Sequence, residues 1–319
     1  MNVLAYARLM RLPNVFTALA DVGVGVFASG LYAADPLAAL LLAVASASLY
    51  TAGMVSNDCF DLAEDQRERP FRPLPAGQIS LRTAQLLTVG LMLVGVAAAM
   101  ASGATGLAST TDGSTTGTDV DADAVHAAFR PLPGLLAVAL VVAILLYNGW
   151  LKRTPLGPVS MASCRVLNVL LAFSLAEPSL GWATRAHVAA VVGVYIIGVT
   201  WFARAEAGVS DRDQLRLAVG VVGVALLLAV LVPVHLPAGT ASAWPPYLLV
   251  GFALVLAGPI RQALANPQPA RVQAAVKRMI LGLIGLDAIL LTTFTGPSGL
   301  LLLLLLPPAV ILGKRIYST

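Results

Sequence analysis

Charge is scarce in this chain. Only 11% of its 319 residues are Asp, Glu, Lys or Arg, against roughly 25% in a soluble domain, and that shortage excludes an ordinary water-solvated surface. Cysteine is scarcer still. Cys59 and Cys164 stand far apart in the chain, which excludes a disulfide framework and any cysteine-based metal spacing and leaves two small residues for burial. The net charge is a modest +4 and nothing in it suggests nucleic acid. No internal repeat and no separate soluble domain is evident.

What is present is apolarity, 58% of the residues. Apolar runs of about twenty residues recur from end to end, each long enough to cross a hydrocarbon core of about 30 Å. The fold class this predicts is all-α: a polytopic membrane helical bundle, one domain over residues 1–319. Spans are expected near 12–32, 36–57, 82–102, 131–149, 157–177, 187–204, 214–234, 245–262, 279–295 and 298–313. Only Gly296-Pro297-Ser298-Gly299 separates the last two, so the expected count is nine or ten. The first apolar segment runs from Arg11 to about Tyr32 without a small-residue cleavage site, and reads as a retained span.

The basic residues are unevenly shared among the connections. With ten spans, the tails and even-side loops hold seventeen of the twenty Lys and Arg residues, the opposite loops only Arg130 and Arg185, and Arg165 falls within a span. By the positive-inside rule both termini, and the loop at 57–77, are expected on the cytoplasmic side. The stretch of about 103–130, rich in Ser, Thr, Gly and Asp, is expected to be a flexible external loop. Asp119, Asp121, Asp123 and His126 within it could bind a divalent ion weakly but lack the glycine and distal glutamate of a calcium loop; a solvated loop is the expected reading.

The most informative stretch is Asn57 to Gly77, NDCFDLAEDQRERPFRPLPAG. At helical spacing Asn57, Asp58, Asp61 and Asp65 share one face. Three crowded carboxylates call for a cation among them, and oxygen ligands favour Mg²⁺, which commonly combines one or two carboxylates with substrate phosphate oxygens. Arg67, Arg69 and Arg72 follow, so the stretch reads as diphosphate-binding.

Asn57-Asp58-x-x-Asp61-x-x-x-Asp65, followed by Arg69-Pro70 and Arg72-Pro73-Leu74-Pro75-x-Gly77 between the second and third spans, resembles the first aspartate-rich motif of the UbiA superfamily of intramembrane prenyltransferases. Arg11-Leu-Pro-Asn14 before the first span is similar to the family's opening, and the likeness in span layout covers nearly the whole chain. The resemblance implies that Asn57, Asp58, Asp61 and Asp65 hold Mg²⁺ and diphosphate. Asn14, Asn57, Arg69 and Arg72 would then contact the diphosphate, inside a bundle that encloses the lipid chain.

Further on, Tyr147 and Lys152 lie where the family often carries a tyrosine and a lysine facing the diphosphate, although their separation is one residue longer than the expected spacing. Lys152 is a phosphate candidate, whereas Tyr147 could equally be an interfacial anchor. Arg165 lies in a span, where an arginine is costly and needs a partner. Either an internal salt bridge with Asp21 or Asp287, or a diphosphate-facing role with Asn168 one turn deeper, would account for it. The loop at 200–213 departs from the family's second acidic motif: Glu206, Asp211 and Asp213 are present without its spacing, and only Glu206 is placed to reach the site. That departure resembles a divergent branch known as EboC, associated with terpenoid precursor handling.

The sequence thus predicts a Mg²⁺-dependent membrane transferase that moves a prenyl group from a polyprenyl diphosphate to an unidentified lipid or aromatic acceptor. Its candidate catalytic residues are Asp58, Asp61, Lys152, Arg204 and Glu206. A relative that binds or transports a prenyl diphosphate without catalysis is the alternative, favoured by the altered loop. An ion-coupled transporter using Asp21, Arg165 and Asp287 would leave the 57–77 stretch unexplained. Convergence of Lys152 and Glu206 on Asp58 and Asp61 would support prenyl diphosphate chemistry.

Overall fold

The computed structural model describes residues 3–105, 129–204 and 211–317. Asp119, Asp121, Asp123, His126 and Glu206 lie outside the described residues. The described residues are helical, with no strand among them. The helices are α1 Val3–Leu9, α2 Leu12–Ala28, α3 Leu31–Ala34, α4 Pro36–Phe60, α5 Leu62–Glu68, α6 Leu81–Ser102 and α7 Leu132–Gly149. They continue with α8 Gly157–Ala172, α9 Trp182–Ala203, α10 Arg212–Leu231, α11 Pro245–Ala265, α12 Pro269–Thr295 and α13 Leu306–Tyr317.

Local chemistry fixes several starts. Asp35 accepts the Ala38 amide at 2.9 Å with Pro36 at the first helical position of α4, and Ser80 accepts the Thr83 amide at 3.1 Å to open α6. Both satisfy amides that the first helical turn leaves without partners. Gly296, at φ 64° and ψ −152°, ends α12 in a conformation open to glycine. A ten-residue 3₁₀ segment, Gly296–Leu305, then leads into α13.

The outer faces are apolar. Leu86, Val89 and Leu93 of α6 and Leu217, Val224 and Leu227 of α10 are exposed, an arrangement that water would penalise and lipid tails accept. Inside, α4 packs along α6, α9 against α8 and α10, and α12 against both α2 and α11. Gly25 sits where α2 meets α8: a Cβ there would lie 2.5 Å from the Ala172 methyl. This close approach brings Asp21 and Arg165 together across the same pair of helices.

The expected count of nine or ten spans is not what the helices show by length and apolarity. Seven qualify, or eight with the pair Val3–Leu9 and Leu12–Ala28, bent by 49°, taken as one. Two features account for the difference. Helix α8 has 16 residues, about 24 Å of rise, and Pro269–Ile316 runs as one 48-residue segment that contains both of the last expected spans.

The two-sided arrangement of the loops is nevertheless visible in cross-links. Arg8 Nε donates to the Ile316 carbonyl at 2.9 Å and Arg212 Nη2 to that of Ala265 at 3.1 Å, joining connections expected on one side. Thr184 bonds the His235 carbonyl at 3.4 Å and the Ser242 amide that of Thr293 at 3.1 Å, joining connections expected on the other.

Because the Gly25 contact is with backbone as well as side chain, a larger residue must push α2 off α8. Gly25→Leu is expected to destabilise the fold by about 1–3 kcal/mol, read as a lower melting temperature of the detergent-solubilised protein, with Gly90→Leu, at an open position, as the near-neutral control.

Candidate functional site

Helix α4 does not run unbroken through the acidic stretch. It ends at Phe60, and Asp61 takes φ −92° and ψ 2° between α4 and α5, a bridge conformation common at functional sites. The single helical face expected for Asn57, Asp58, Asp61 and Asp65 is therefore interrupted at its third member. The acids still converge, with Asn57 Nδ2 donating to Asp61 Oδ2 at 3.0 Å.

After α5 the proline-rich chain curls back. The Ala76 amide bonds the Arg72 carbonyl at 2.9 Å, and that of Gln78 the Pro73 carbonyl at 3.0 Å. Leu74 and Ile79 are buried in a small apolar cluster with Leu9, Val55 and Ala84. These anchors hold Arg72 over the acids, its Nη1 2.7 Å from Asp65 Oδ2 and 3.6 Å from Asp58 Oδ1. Arg69 Nη1 stands 3.6 Å from Asp65 Oδ1.

Two further segments supply cations. The turn Leu151–Arg153 after α7 places Lys152 Nζ 2.6 Å from Asp61 Oδ1 and 3.2 Å from Asn57 Oδ1. Arg153 Nη2 lies 3.5 Å from Asp61 and 3.7 Å from Glu64. At the bend between α1 and α2, Arg11 Nη2 bonds Asp58 Oδ1 at 3.0 Å. Arg11 has φ 46°, and is the one residue other than glycine with positive φ among the described residues, a strain of order 1–3 kcal/mol that marks many functional sites.

The carboxylates of Asp58, Asp61, Glu64 and Asp65 thus face five basic side chains. Arginine and lysine thereby relieve the mutual repulsion of the acids. Accordingly, no three Asp, Glu, His or Cys side chains gather into a cation-sized cluster among the described residues. The donor set still fits a hard divalent ion, being all oxygen, and the buried Asp65 Oδ1 has no hydrogen-bond partner.

Below the acids opens a cavity of about 260 Å³ lined by Leu140, Ile144, Ile196, Val199 and Ile280, with Arg11, Asn14, Tyr50, Tyr147, Asn148, Arg165 and Asn168 among its polar members. Arg11 belongs to both the cavity wall and the acid cluster, so the two are continuous. Asn148 ties them further: its Nδ2 donates at 3.0 Å to the carbonyl of Gly53, one turn before Asn57, and at 2.6 Å to Oγ of Ser56, the residue just before Asn57.

The expected site residues divide accordingly. Asn57, Asp58, Asp61, Asp65, Arg69, Arg72 and Lys152 come together, while Asn14 lines the cavity below them. Arg165 is not on the acid cluster: its Nη1 bonds Asp21 Oδ2 at 2.8 Å and its Nη2 bonds Thr17 Oγ1 at 2.8 Å, which is the internal salt-bridge alternative. Arg204 also stands apart from the acids. It bonds the carbonyls of Lys152 and Thr154, so it braces the turn that carries Lys152. Arg11 and Arg153 were passed over by the sequence reasoning; the signals were the Arg11-Leu-Pro-Asn14 tetrad and the position beside Lys152.

Residues 17–112 match the family described as UbiA prenyltransferase family. Among similar proteins, the digeranylgeranylglyceryl phosphate synthase of Metallosphaera sedula is 37% identical over 91 residues, 28% of this chain and 32% of that protein. The synthase of Saccharolobus solfataricus is 31% identical over 97 residues, 30% of this chain and 34% of that protein. The matches thus span about a third of these relatives' length. In fold, the chain is similar to a solved digeranylgeranylglyceryl phosphate synthase structure at TM-score 0.62 and 18% identity, covering 91% of this chain and 97% of that one. It is also similar to a UbiA homologue from Archaeoglobus fulgidus bound to Cd²⁺, at TM-score 0.52 and 14% identity, covering 90% of this chain and 99% of that one. Residues 17–112, which hold the aspartate motif, are thus similar to the UbiA prenyltransferase family, and the helical bundle has a fold similar to these two solved structures.

Proposed function

We propose that this chain is an integral-membrane, Mg²⁺-dependent prenyltransferase that takes a prenyl group from a polyprenyl diphosphate and attaches it to a lipid acceptor. One observation carries the reading. Oxygen ligands and basic side chains are gathered at the mouth of an apolar cavity, with Lys152 on Asp61 at 2.6 Å and Arg72 on Asp65 at 2.7 Å. The similar proteins are digeranylgeranylglyceryl phosphate synthases, so geranylgeranyl diphosphate is the donor of choice. A glyceryl phosphate lipid is the acceptor to try first.

Asn57, Asp58, Asp61 and Asp65 would hold Mg²⁺, which when bound supplies Lewis-acid neutralisation of the diphosphate charge. The basic residues that now face the carboxylates, Arg11, Arg69, Arg72, Lys152 and Arg153, turn their N–H groups to phosphate oxygens as the substrate enters. In the reaction the bond between the prenyl C1 and the diphosphate oxygen breaks, its electron pair leaving with the diphosphate. A bond forms from C1 to the acceptor hydroxyl oxygen, whose proton is released. The cavity wall of Leu140, Ile144, Ile196 and Val199 keeps water from C1, since a prenyl cation would otherwise be captured as an alcohol.

The orientation follows the charge asymmetry, with both termini and the acidic motif cytoplasmic. A C-terminal fluorescent-protein fusion is expected to be fluorescent and a C-terminal alkaline phosphatase fusion inactive; the opposite pair of results contradicts the orientation.

Purified protein in lipid is expected to release diphosphate from geranylgeranyl diphosphate with Mg²⁺ and acceptor, and to stop with chelator or in Asp61→Ala. Lys152→Met is expected to lower the rate about 10²-fold, the usual loss for one charge-stabilising donor. Metal-dependent binding without release, with candidate acceptors supplied, would establish the carrier reading in place of the transferase.

A further inference from the structure

Two acids lie deep in the bundle, away from the aspartate motif. Asp21 of α2 and Asp287 of α12 are both fully buried, on helices that pack against each other. Asp21 Oδ2 accepts two bonds, from Arg165 Nη1 at 2.8 Å and Asn168 Nδ2 at 3.0 Å. Asp21 Oδ1 and both oxygens of Asp287 accept none, although Asp287 stands within hydrogen-bonding range of Asp21. Two bare carboxylates in that contact have no hydrogen between them.

Among the described residues, Arg165 is the basic group that acts on both acids. From α4 comes the Tyr50 ring, 4.9 Å beneath the Arg165 guanidinium. From α8 come Arg165 and Asn168, and from α9 comes Tyr195, whose hydroxyl is already donated to the Met279 carbonyl at 2.8 Å. Two buried carboxylates therefore face one guanidinium, and a buried charge without its own partner is prohibitive in an apolar interior. A single hydrogen resolves both the excess charge and the missing donor.

We propose that Asp287 is un-ionised and donates its carboxyl hydrogen to Asp21 Oδ1, closing a neutral unit of Asp21, Asp287 and Arg165 that positions Arg165 and Asn168 in the cavity wall. Asp21 is then the anchor of two cavity residues, and Asp287 is the donor that completes the anchor's hydrogen bonding. Ser46 Oγ extends the unit to α4, donating to Asn168 Oδ1 at 2.7 Å. The cavity role rests on the proposed prenyl diphosphate reading; the hydrogen between the acids does not.

The asymmetry of the pair supplies the test. Asp287→Asn keeps a donor toward Asp21 and is expected to melt within a few degrees of wild type and to bind geranylgeranyl diphosphate within about twofold. Asp21→Asn leaves Arg165 without its counter-charge and is expected to melt far lower or to bind about tenfold more weakly. Infrared spectra of wild type at neutral pH are expected to show the carbonyl band of an un-ionised carboxylic acid, shifted in D₂O and absent from Asp287→Asn, and this comparison stands even where Asp21→Asn does not fold. Absence of that band, its survival in Asp287→Asn, equal damage from the two substitutions, or a melting temperature set by added Na⁺ or K⁺ would each overturn the proposal. Wild type that binds no geranylgeranyl diphosphate would sink the prenyl diphosphate reading and leave the infrared result to judge the pair.

Discussion

Pairing of the motif acids with arginine and lysine is the interaction on which the arrangement at this end of the bundle depends. Asp58, Asp61 and Asp65 come from one short stretch and repel one another; Arg11, Arg72 and Lys152 come from three other places in the chain and bind them at 3.0, 2.7 and 2.6 Å. The pairs therefore also fasten the bend between α1 and α2, the proline-rich turn after α5 and the turn after α7 to the end of α4. Asp65 is nearly inaccessible, and removing one partner of such a buried pair costs far more than the pair itself contributes. The residues to which the proposal assigns the chemistry therefore also hold the fold together at this end.

The packing below explains why this end can be so polar. Small residues let the helices approach, as Gly25 does at α8. Large apolar side chains face outward to lipid, and the cavity is walled by branched aliphatic residues. Polar groups within the bundle are confined to closed networks. Asn148 satisfies itself on Gly53 and Ser56, and Arg185 on the carbonyls of Phe173, Ala176 and Leu180. Only the Asp21–Asp287 contact and Asp65 Oδ1 leave buried carboxylate oxygens without donors among the described residues.

Much of this was legible in the sequence, because apolar run length and acid spacing are local properties. The helix starts at Leu12, Pro36, Leu81, Leu132 and Gly157 fall within a residue of the predicted spans, and the side chains of Asn57, Asp58, Asp61, Asp65, Arg69, Arg72 and Lys152 do come together. What escaped depended on tertiary geometry. The break at Asp61 reflects the partners on either side of it, and nothing in the local spacing marks it. Arg11 reaches Asp58 only because the chain bends at its left-handed backbone. Arg204 faces carbonyls because its helix ends beside the Lys152 turn. For Arg165 the sequence left two partners open, and packing of α2 on α8 selected Asp21.

The central claim is that the paired acids and bases are a diphosphate site whose carboxylates become metal ligands when substrate enters. The most direct measurement is a binding titration of geranylgeranyl diphosphate to the purified protein across Mg²⁺ concentrations, at constant ionic strength. The account predicts affinity that rises with Mg²⁺ and loses that dependence in Asp58→Asn with Asp61→Asn combined. Equal affinity with and without the metal, or an unchanged Mg²⁺ dependence in the double variant, would contradict it.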